Sequence, residues 1–98
     1  MSLDQLQAVV TIAEAGTLVG AAQRLHISQP PLTRKVAALE DELGVRLFHR
    51  SGRGMALTDA GAAFVGEATA ILDAVKRAAE SARAAAPGSA ATLRQPPG

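Results

Sequence analysis

The sequence contains no cysteine, tryptophan or tyrosine, and its aromatic side chains are two phenylalanines. Without cysteine there is no disulfide framework and no thiolate metal site, and two histidines argue against a multi-histidine zinc site. No apolar run approaches the roughly 18 residues of a membrane span, and the first residues lack the order of a signal peptide. We therefore expect a cytoplasmic protein without a cofactor, and not a self-contained enzyme.

Large apolar side chains are also scarce, because 22 of the 98 residues are alanine. The remaining large apolar side chains suffice for the core of one small domain, but they are too few to enclose a large ligand cavity as well. The net charge of +1 hides an uneven distribution, since residues 24–57 hold six bases and three acids. A basic middle between mildly acidic flanks is a modest electrostatic footprint for nucleic-acid binding.

Helical spacing of apolar residues predicts two short helices at about 3–15 and 18–25. Gly16 is placed to end the first helix, and Thr17 is placed to cap the second. After a link of about three residues, the spacing predicts a third, amphipathic helix that Gly44 ends.

The two ends of the third helix differ in chemistry. Ser28 is the predicted cap, and Pro30 and Pro31 fall in the first turn, where proline is tolerated. The acidic run at 40–42 is predicted to be solvated at the far end. This arrangement keeps negative charge away from the start of the helix.

The segment after the third helix changes character. Two short apolar runs flank Ser51-Gly52-Arg53-Gly54, which predicts a small β-hairpin. An irregular loop is the alternative, because the strands are very short. Thr58 is placed to cap a long fourth helix, and the Pro-, Gly- and Ser-containing residues that follow are typical of a flexible tail.

Together these elements predict a mainly α protein with a winged helix-turn-helix fold. A three-helix core and a small β-hairpin wing occupy residues 1–58, with the helix-turn-helix at about 18–37. A long C-terminal helix at 59–86 serves as linker and dimerisation helix, and 87–98 forms the tail.

Three stretches carry a resemblance to a known family: AAQRLHISQP at 21–30, LEDELGVRLFHR at 39–50 and LTDAG at 57–61. Together, in this order and spacing, they resemble the N-terminal domain of LysR-type transcriptional regulators. The resemblance implies a bacterial dimeric regulator of transcription. Members usually carry a larger effector-binding domain after this point, so the chain resembles either a DNA-binding fragment or a short relative. A small-molecule effector is expected only where such a domain exists.

The start of the third helix is the predicted DNA-reading element, because helix-turn-helix proteins place these residues against base edges. Gln29 suits adenine, Arg34 suits guanine, and Thr33 faces outward beside them. Pro30 and Pro31 have no donor and offer only apolar contact. The other predicted DNA contacts, mainly to the backbone, are Thr17, Ser28, Lys35, Arg50, Arg53 and Thr58.

Two positions of the second helix depart from the family pattern. The family often has hydroxyl and basic residues where this chain has Val19 and Gly20, which offer no side-chain hydrogen bond. This predicts a low affinity per monomer and a greater dependence on dimerisation.

The apolar stripe of the long helix extends beyond the small domain that could cover it. The exposed part of the stripe therefore needs a partner surface. We expect an antiparallel partner helix in a two-fold homodimer. A full-length protein could also form a tetramer. The predicted contact residues are Phe64, Ala68, Ile71, Leu72, Val75, Ala79 and Ala82.

The predicted function is sequence-specific binding of double-stranded DNA, as a dimer, at an inverted-repeat operator. One alternative is a protein-interaction or dimerisation module on the same scaffold without DNA binding, which the modest net charge favours slightly. A third is a metal- or oxyanion-responsive regulator similar to the molybdate regulators. An enzyme is a distant fourth, because no nucleophile–base pair or metal cluster is visible.

Overall fold

The computed structural model describes residues 1–52 and 54–87 and consists of four helices and one hairpin. This confirms the predicted fold class, and the hairpin excludes the irregular loop. Arg53 and most of the predicted tail, from residue 88 onward, lie outside the described residues. The elements are α1 (Leu3–Ala15), α2 (Leu18–Leu25), α3 (Gln29–Leu43), β1 (Phe48–Ser51), β2 (Gly54–Leu57) and α4 (Asp59–Ala85).

Local capping sets the ends of α1 and α2. Ser2 and Gln5 form a capping box at the start of α1, and Gly16 ends it in the left-handed conformation at φ 79°. The Thr17 hydroxyl then accepts a hydrogen bond from the Gly20 N–H at 3.0 Å. His26 ends α2 in the left-handed region at φ 56°, which turns the chain toward α3.

Helix α1 lies at the centre of the core because it is apolar on two faces. Val9 and Ile12 are fully buried on one face, in a cluster with residues of α2, α3 and β1. Leu6 and Val10 form a second cluster with Ala68 of α4. The helix-turn-helix and the long helix therefore pack on different faces of α1.

The hairpin is held to the helices as well as to itself. Its register pairs Phe48 with Leu57 and Ser51 with Gly54, so the connecting loop has two residues. Phe48 is buried in the main cluster. The Met55 N–H donates to the carbonyl oxygen of Gly16 at 3.0 Å, which ties the second strand to the end of α1.

Helix α4 leaves the domain part-way along its length. It has 27 residues, which at about 1.5 Å per residue is about 40 Å. Phe64, Val65 and Leu72 pack on the α1 cluster around Ala68, whereas Ile71 and Val75 are exposed. Within the part of the chain that the structure describes, no helix is long and apolar enough to cross a membrane.

The base of α4 touches the chain just before β1 at Gly61. A Cβ at Gly61 would collide with the carbonyl oxygen of Leu47, whereas a Cβ at Gly66 meets nothing within 4 Å among the described residues. Close backbone approach therefore requires glycine at the first position only.

We expect Gly61→Ala to lower the free energy of unfolding by more than about 2 kcal/mol, because backbone must shift. Gly66→Ala adds the same methyl group in open space and should raise it by up to about 1 kcal/mol. Urea unfolding at one chain concentration measures both. A Gly61→Ala variant as stable as the wild type would contradict this account of the contact.

Candidate nucleic-acid interface

Helix α3 has one buried face and one exposed face. Leu32, Val36 and Leu39 point into the core. Helical periodicity puts Pro30 and Arg34 on the opposite side, followed by Ala37, Ala38 and Asp41, and all five are exposed. The side chains of the two alanines are small, so the backbone in the middle of this face can approach a concave surface closely.

The first turn of α3 is unusual because two of its residues have no N–H. Ser28 has the backbone conformation of an N-cap, but among the described residues its hydroxyl makes no capping hydrogen bond. The predicted side-chain cap is therefore wrong. A cap hydroxyl accepts from the second or third helical N–H, and here those positions are Pro30 and Pro31. The Ser28 side chain is exposed.

A cleft between the hairpin and the helix-turn-helix brings three predicted residues together. Thr17 at the start of α2, Gln29 at the start of α3 and Arg50 of β1 all line it, beside Val19 and Gly54. The Thr17 hydroxyl is already engaged by the Gly20 N–H. Arg50 and Gln29 remain as the exposed polar side chains of this cleft.

A groove between α3 and β1 adjoins this cleft, because Arg50 and Met55 line both. Thr33 and Ala37 line it from α3, and Arg46, His49 and Arg50 line it from the chain entering and forming β1. Arg46 was not among the predicted contacts. Glu40 lines the groove as well and lies 3.5 Å from Arg46 Nε, so Arg50 supplies the net positive charge on this flank of α3.

Two further predicted cations lie on the opposite flank of α3. Pro31, Arg34 and Lys35 border a shallow depression beside the N-terminus of α1. The Gln5 side-chain amide donates to the Lys35 carbonyl oxygen at 3.4 Å, which joins the two helices there. The predicted residues thus flank α3 on both sides and do not form one cluster.

Thr58 does not line these surfaces. Its hydroxyl accepts from the Gly61 N–H, as predicted for a cap, and donates to the Arg46 carbonyl oxygen at 2.6 Å. It therefore fastens the base of the hairpin to α4. Its predicted DNA contact, like that of Arg53 outside the described residues, stays a prediction.

The departure at Val19 and Gly20 has a structural explanation in part. A Cβ at Gly20 would lie 3.0 Å from the Thr17 hydroxyl oxygen and 3.3 Å from Ala15 Cβ, so a side chain there would crowd the cap. Val19 is 52% exposed beside Gln29 and Arg50. It places an apolar group on the surface where the family often has a polar one.

Glu40 contradicts the prediction that the whole acidic run is solvated. Its side chain is only 12% exposed. One carboxylate oxygen accepts from the Leu47 N–H at 2.6 Å and the Phe48 N–H at 3.4 Å, and lies 3.5 Å from Arg46 Nε. The available sequence signal is its place one turn after Val36, at the edge of the buried stripe. Asp41 and Glu42 are exposed, as predicted.

Residues 3–62 match the family described as "Bacterial regulatory helix-turn-helix protein, lysR family". The chain belongs to the lysR family. It is 47% identical over 94 residues to the transcriptional regulator TfdT of Cupriavidus pinatubonensis, which covers 96% of this chain and 41% of that protein. It is 48% identical over 93 residues to the regulator TcbR of a Pseudomonas species, with 95% and 32% covered. The chain thus spans less than half the length of these LysR-type relatives.

Solved structures show the same LysR-type fold. A crystal structure of a CbnR_DBD–DNA complex matches with a TM-score of 0.82 at 50% identity, covering 88% of this chain and 99% of that one. A complex of BenM_DBD with benA site 1 DNA matches with a TM-score of 0.85 at 34% identity, covering 90% and 99%. The winged helix-turn-helix described above is therefore a LysR-type DNA-binding domain.

The role of Glu40 in this LysR-type domain gives a stability prediction. We expect Glu40→Ala to lower the free energy of unfolding by about 1–3 kcal/mol, because the N–H groups of buried Leu47 and Phe48 lose their acceptor. Glu40→Gln keeps a carbonyl oxygen and should lose less. Urea unfolding provides the measurement.

Asp41→Ala is the matched control, since that carboxylate is exposed, and its effect should stay within about 0.5 kcal/mol. Equal losses for Glu40→Ala and Asp41→Ala would contradict a specific role of Glu40.

Proposed function

We propose that this chain binds duplex DNA sequence-specifically as a homodimer, with α3 in the major groove and the hairpin beside the adjacent backbone. The observation that carries this proposal is the exposed surface at the start of α3, which presents the polar side chains Gln29, Thr33 and Arg34. Helix-turn-helix domains present the start of this helix to base edges. Two of the similar solved structures are DNA complexes, which supports the same use of α3 here.

The charges along α3 favour entry of its N-terminal end. Residues 24–39 hold three bases and no acid, whereas residues 40–42 are all acidic. Arg46 and two N–H groups compensate Glu40, but Asp41 and Glu42 remain exposed at the far end. Phosphates on either side of the groove therefore attract the start of the helix and repel its end.

The base contacts follow from the donor groups at that start. Arg34 points directly away from the core and suits the O6 and N7 acceptors of guanine. Gln29 suits adenine, and Thr33 lies on the hairpin side of the helix. Pro30 and Pro31 offer apolar surface to a thymine methyl group.

The backbone contacts lie on both flanks of α3. Arg50 is on the hairpin side and Lys35 is on the α1 side. Thr17 lines the cleft and Ser28 directly precedes Gln29. Arg53 and Thr58 complete the proposed set.

The exposed stripe of α4 supports the homodimer. Ile71 and Val75 are 46% and 44% exposed although both are large and apolar. Ala79 and Ala82 continue the stripe with small side chains that permit close helix approach. A two-fold axis between antiparallel copies of α4 matches an inverted repeat with half-sites about one helical turn apart.

We also propose that the protein acts in the cytoplasm as a regulator and not as an enzyme. The relatives named above are transcriptional regulators, which supports this assignment. The division into 1–58, 59–86 and 87–98 belongs to the same proposal.

A selection from random duplexes at about 100 mM salt tests the proposed sequence-specific DNA binding, because a dimer should enrich a palindrome with fixed half-site spacing. A folded protein that enriches no sequence would overturn it in favour of an interaction module.

The role of Arg34 predicts a sequence-dependent loss. We expect Arg34→Ala to weaken binding to the selected palindrome by about 1–3 kcal/mol per half-site and to relax the preference at one base pair in each half-site. Fluorescence anisotropy on palindrome and scrambled duplexes measures this. Arg77→Ala is the control, because it removes the same charge from the α4 face opposite the apolar stripe. Equal losses on both duplexes would refute direct reading by Arg34.

The role of Arg50 predicts a different pattern. We expect Arg50→Ala to weaken palindrome and scrambled duplexes to the same extent, and to reduce the slope of log K against log salt by about 1 per copy, which is about 2 for the dimer. A titration between about 50 and 200 mM salt measures the slope. A slope equal to that of the wild type would mean that Arg50 holds no phosphate.

A further inference from the structure

The hairpin carries a histidine on the flank of α3 where the DNA backbone is proposed to lie. His49 is exposed in β1, and its cross-strand partner is the small residue Ala56. Together with Thr33, Arg46 and Arg50 it lines the groove between α3 and β1. The imidazole is therefore accessible to a DNA strand that passes this side of the helix.

A contact with the backbone determines which nitrogen of the His49 ring is free. Nδ1 lies 3.3 Å from the carbonyl oxygen of Arg50. A carbonyl oxygen can only accept a hydrogen bond, so this contact requires a proton on Nδ1. In the neutral ring Nε2 is then an acceptor, and Nε2 is the nitrogen that is left for a contact outside the hairpin.

This arrangement makes the charge of the ring decisive for binding an anion. Phosphate oxygens are acceptors, and the neutral ring offers them neither a donor at Nε2 nor a positive charge. Protonation turns Nε2 into an N–H donor and makes the ring a cation, which permits a charge-assisted hydrogen bond to phosphate. Histidine is the side chain that ordinarily makes this change between about pH 5 and pH 8.

The charged groups that face His49 come from α3 and from its own segment of the chain. Glu40 lines the groove from α3, but its carboxylate accepts from two N–H groups at the start of the hairpin and lies 3.5 Å from Arg46 Nε. Arg46 and Arg50 are the neighbouring cations. Among the described residues, the lining from α1, α2 and β2 is apolar and consists of Ile12, Leu18 and Met55. The groove itself thus offers the ring no net negative charge, whereas a phosphate beside the hairpin does.

We propose that His49 is a further phosphate contact of the hairpin, made through Nε2 by the protonated ring alone. The inference rests on the DNA binding proposed above, which puts the hairpin beside the backbone. Because only the protonated ring makes the contact, DNA binding is linked to proton uptake at His49. The affinity for DNA therefore rises as the pH falls through the range in which histidine gains its charge.

Fluorescence anisotropy on the selected palindrome at about pH 6 and about pH 8 tests this. We expect the wild-type Kd to be lower at about pH 6 by about threefold per copy, which is about tenfold for the dimer. The slope of log K against log salt should also be steeper at that pH by up to about 1 per copy, since each imidazolium releases a counterion. Circular dichroism at both pH values shows that the fold is unchanged.

Two substitutions at this exposed position separate charge from structure. His49→Gln keeps a polar side chain that does not titrate, so its Kd should be the same at both pH values and close to that of the wild type at about pH 8. His49→Lys carries a permanent charge and should bind more tightly than His49→Gln at both. A His49→Gln variant that retains the full pH dependence would overturn the proposal.

The matched control is His26→Asn, because His26 is the other histidine of the chain and is also exposed. It ends α2 in the left-handed region, which asparagine tolerates. This variant should keep the pH dependence of the wild type. Calorimetry of DNA binding at about pH 7, in two buffers of different ionisation enthalpy, should show proton uptake by the wild type and His26→Asn but not by His49→Gln.

The outcomes separate this inference from the proposed function. A folded chain that binds no duplex at either pH overturns both. If the wild type binds the palindrome with the same Kd at both pH values, or if His26→Asn removes the pH dependence and His49→Gln does not, the DNA binding stands and the His49 contact is overturned.

Discussion

The two-sided burial of α1 is the constraint on which the rest of the structure depends. Val9 and Ile12 pack with the helix-turn-helix, while Leu6 and Val10 pack with α4. Since the positions alternate along one rigid helix, α3 and α4 are held in a fixed relation through it. On the proposed function, this relation sets the distance between the two copies of α3 across the dimer axis. The half-site spacing is then a property of the core.

Hydrogen bonds to the backbone fix the position of the hairpin, which apolar packing alone does not determine. A two-stranded hairpin is marginally stable alone. Here its first strand is held by the Glu40 carboxylate, its second by the Gly16 carbonyl oxygen and its base by Thr58. Each tie joins the hairpin to a different helix. The orientation of Arg50 relative to Gln29 therefore depends on residues that do not themselves lie in the cleft.

Sequence reasoning succeeded where the signal was local. The end of α1 at Gly16 and the caps at Thr17 and Thr58 each involve residues within four positions, and the structure contains all three. It failed where a partner is distant. Glu40 looked like one acid in a solvated run because its partners, Leu47 and Phe48, are seven and eight residues away. The contact between Gly61 and Leu47 gave no local signal either.

The first turn of α3 shows how a local detail shapes recognition. Ser28 looked like a cap because its type and place were right, yet the prolines that follow remove the N–H groups it would bind. The same loss weakens the helix start as a phosphate site, which normally relies on those N–H groups. Val19 and Gly20 remove further polar contacts nearby. Phosphate binding then depends on a few cations such as Arg50, so that each copy on its own would bind DNA weakly. Joining two copies makes the second contact intramolecular and raises the affinity without any new DNA contact.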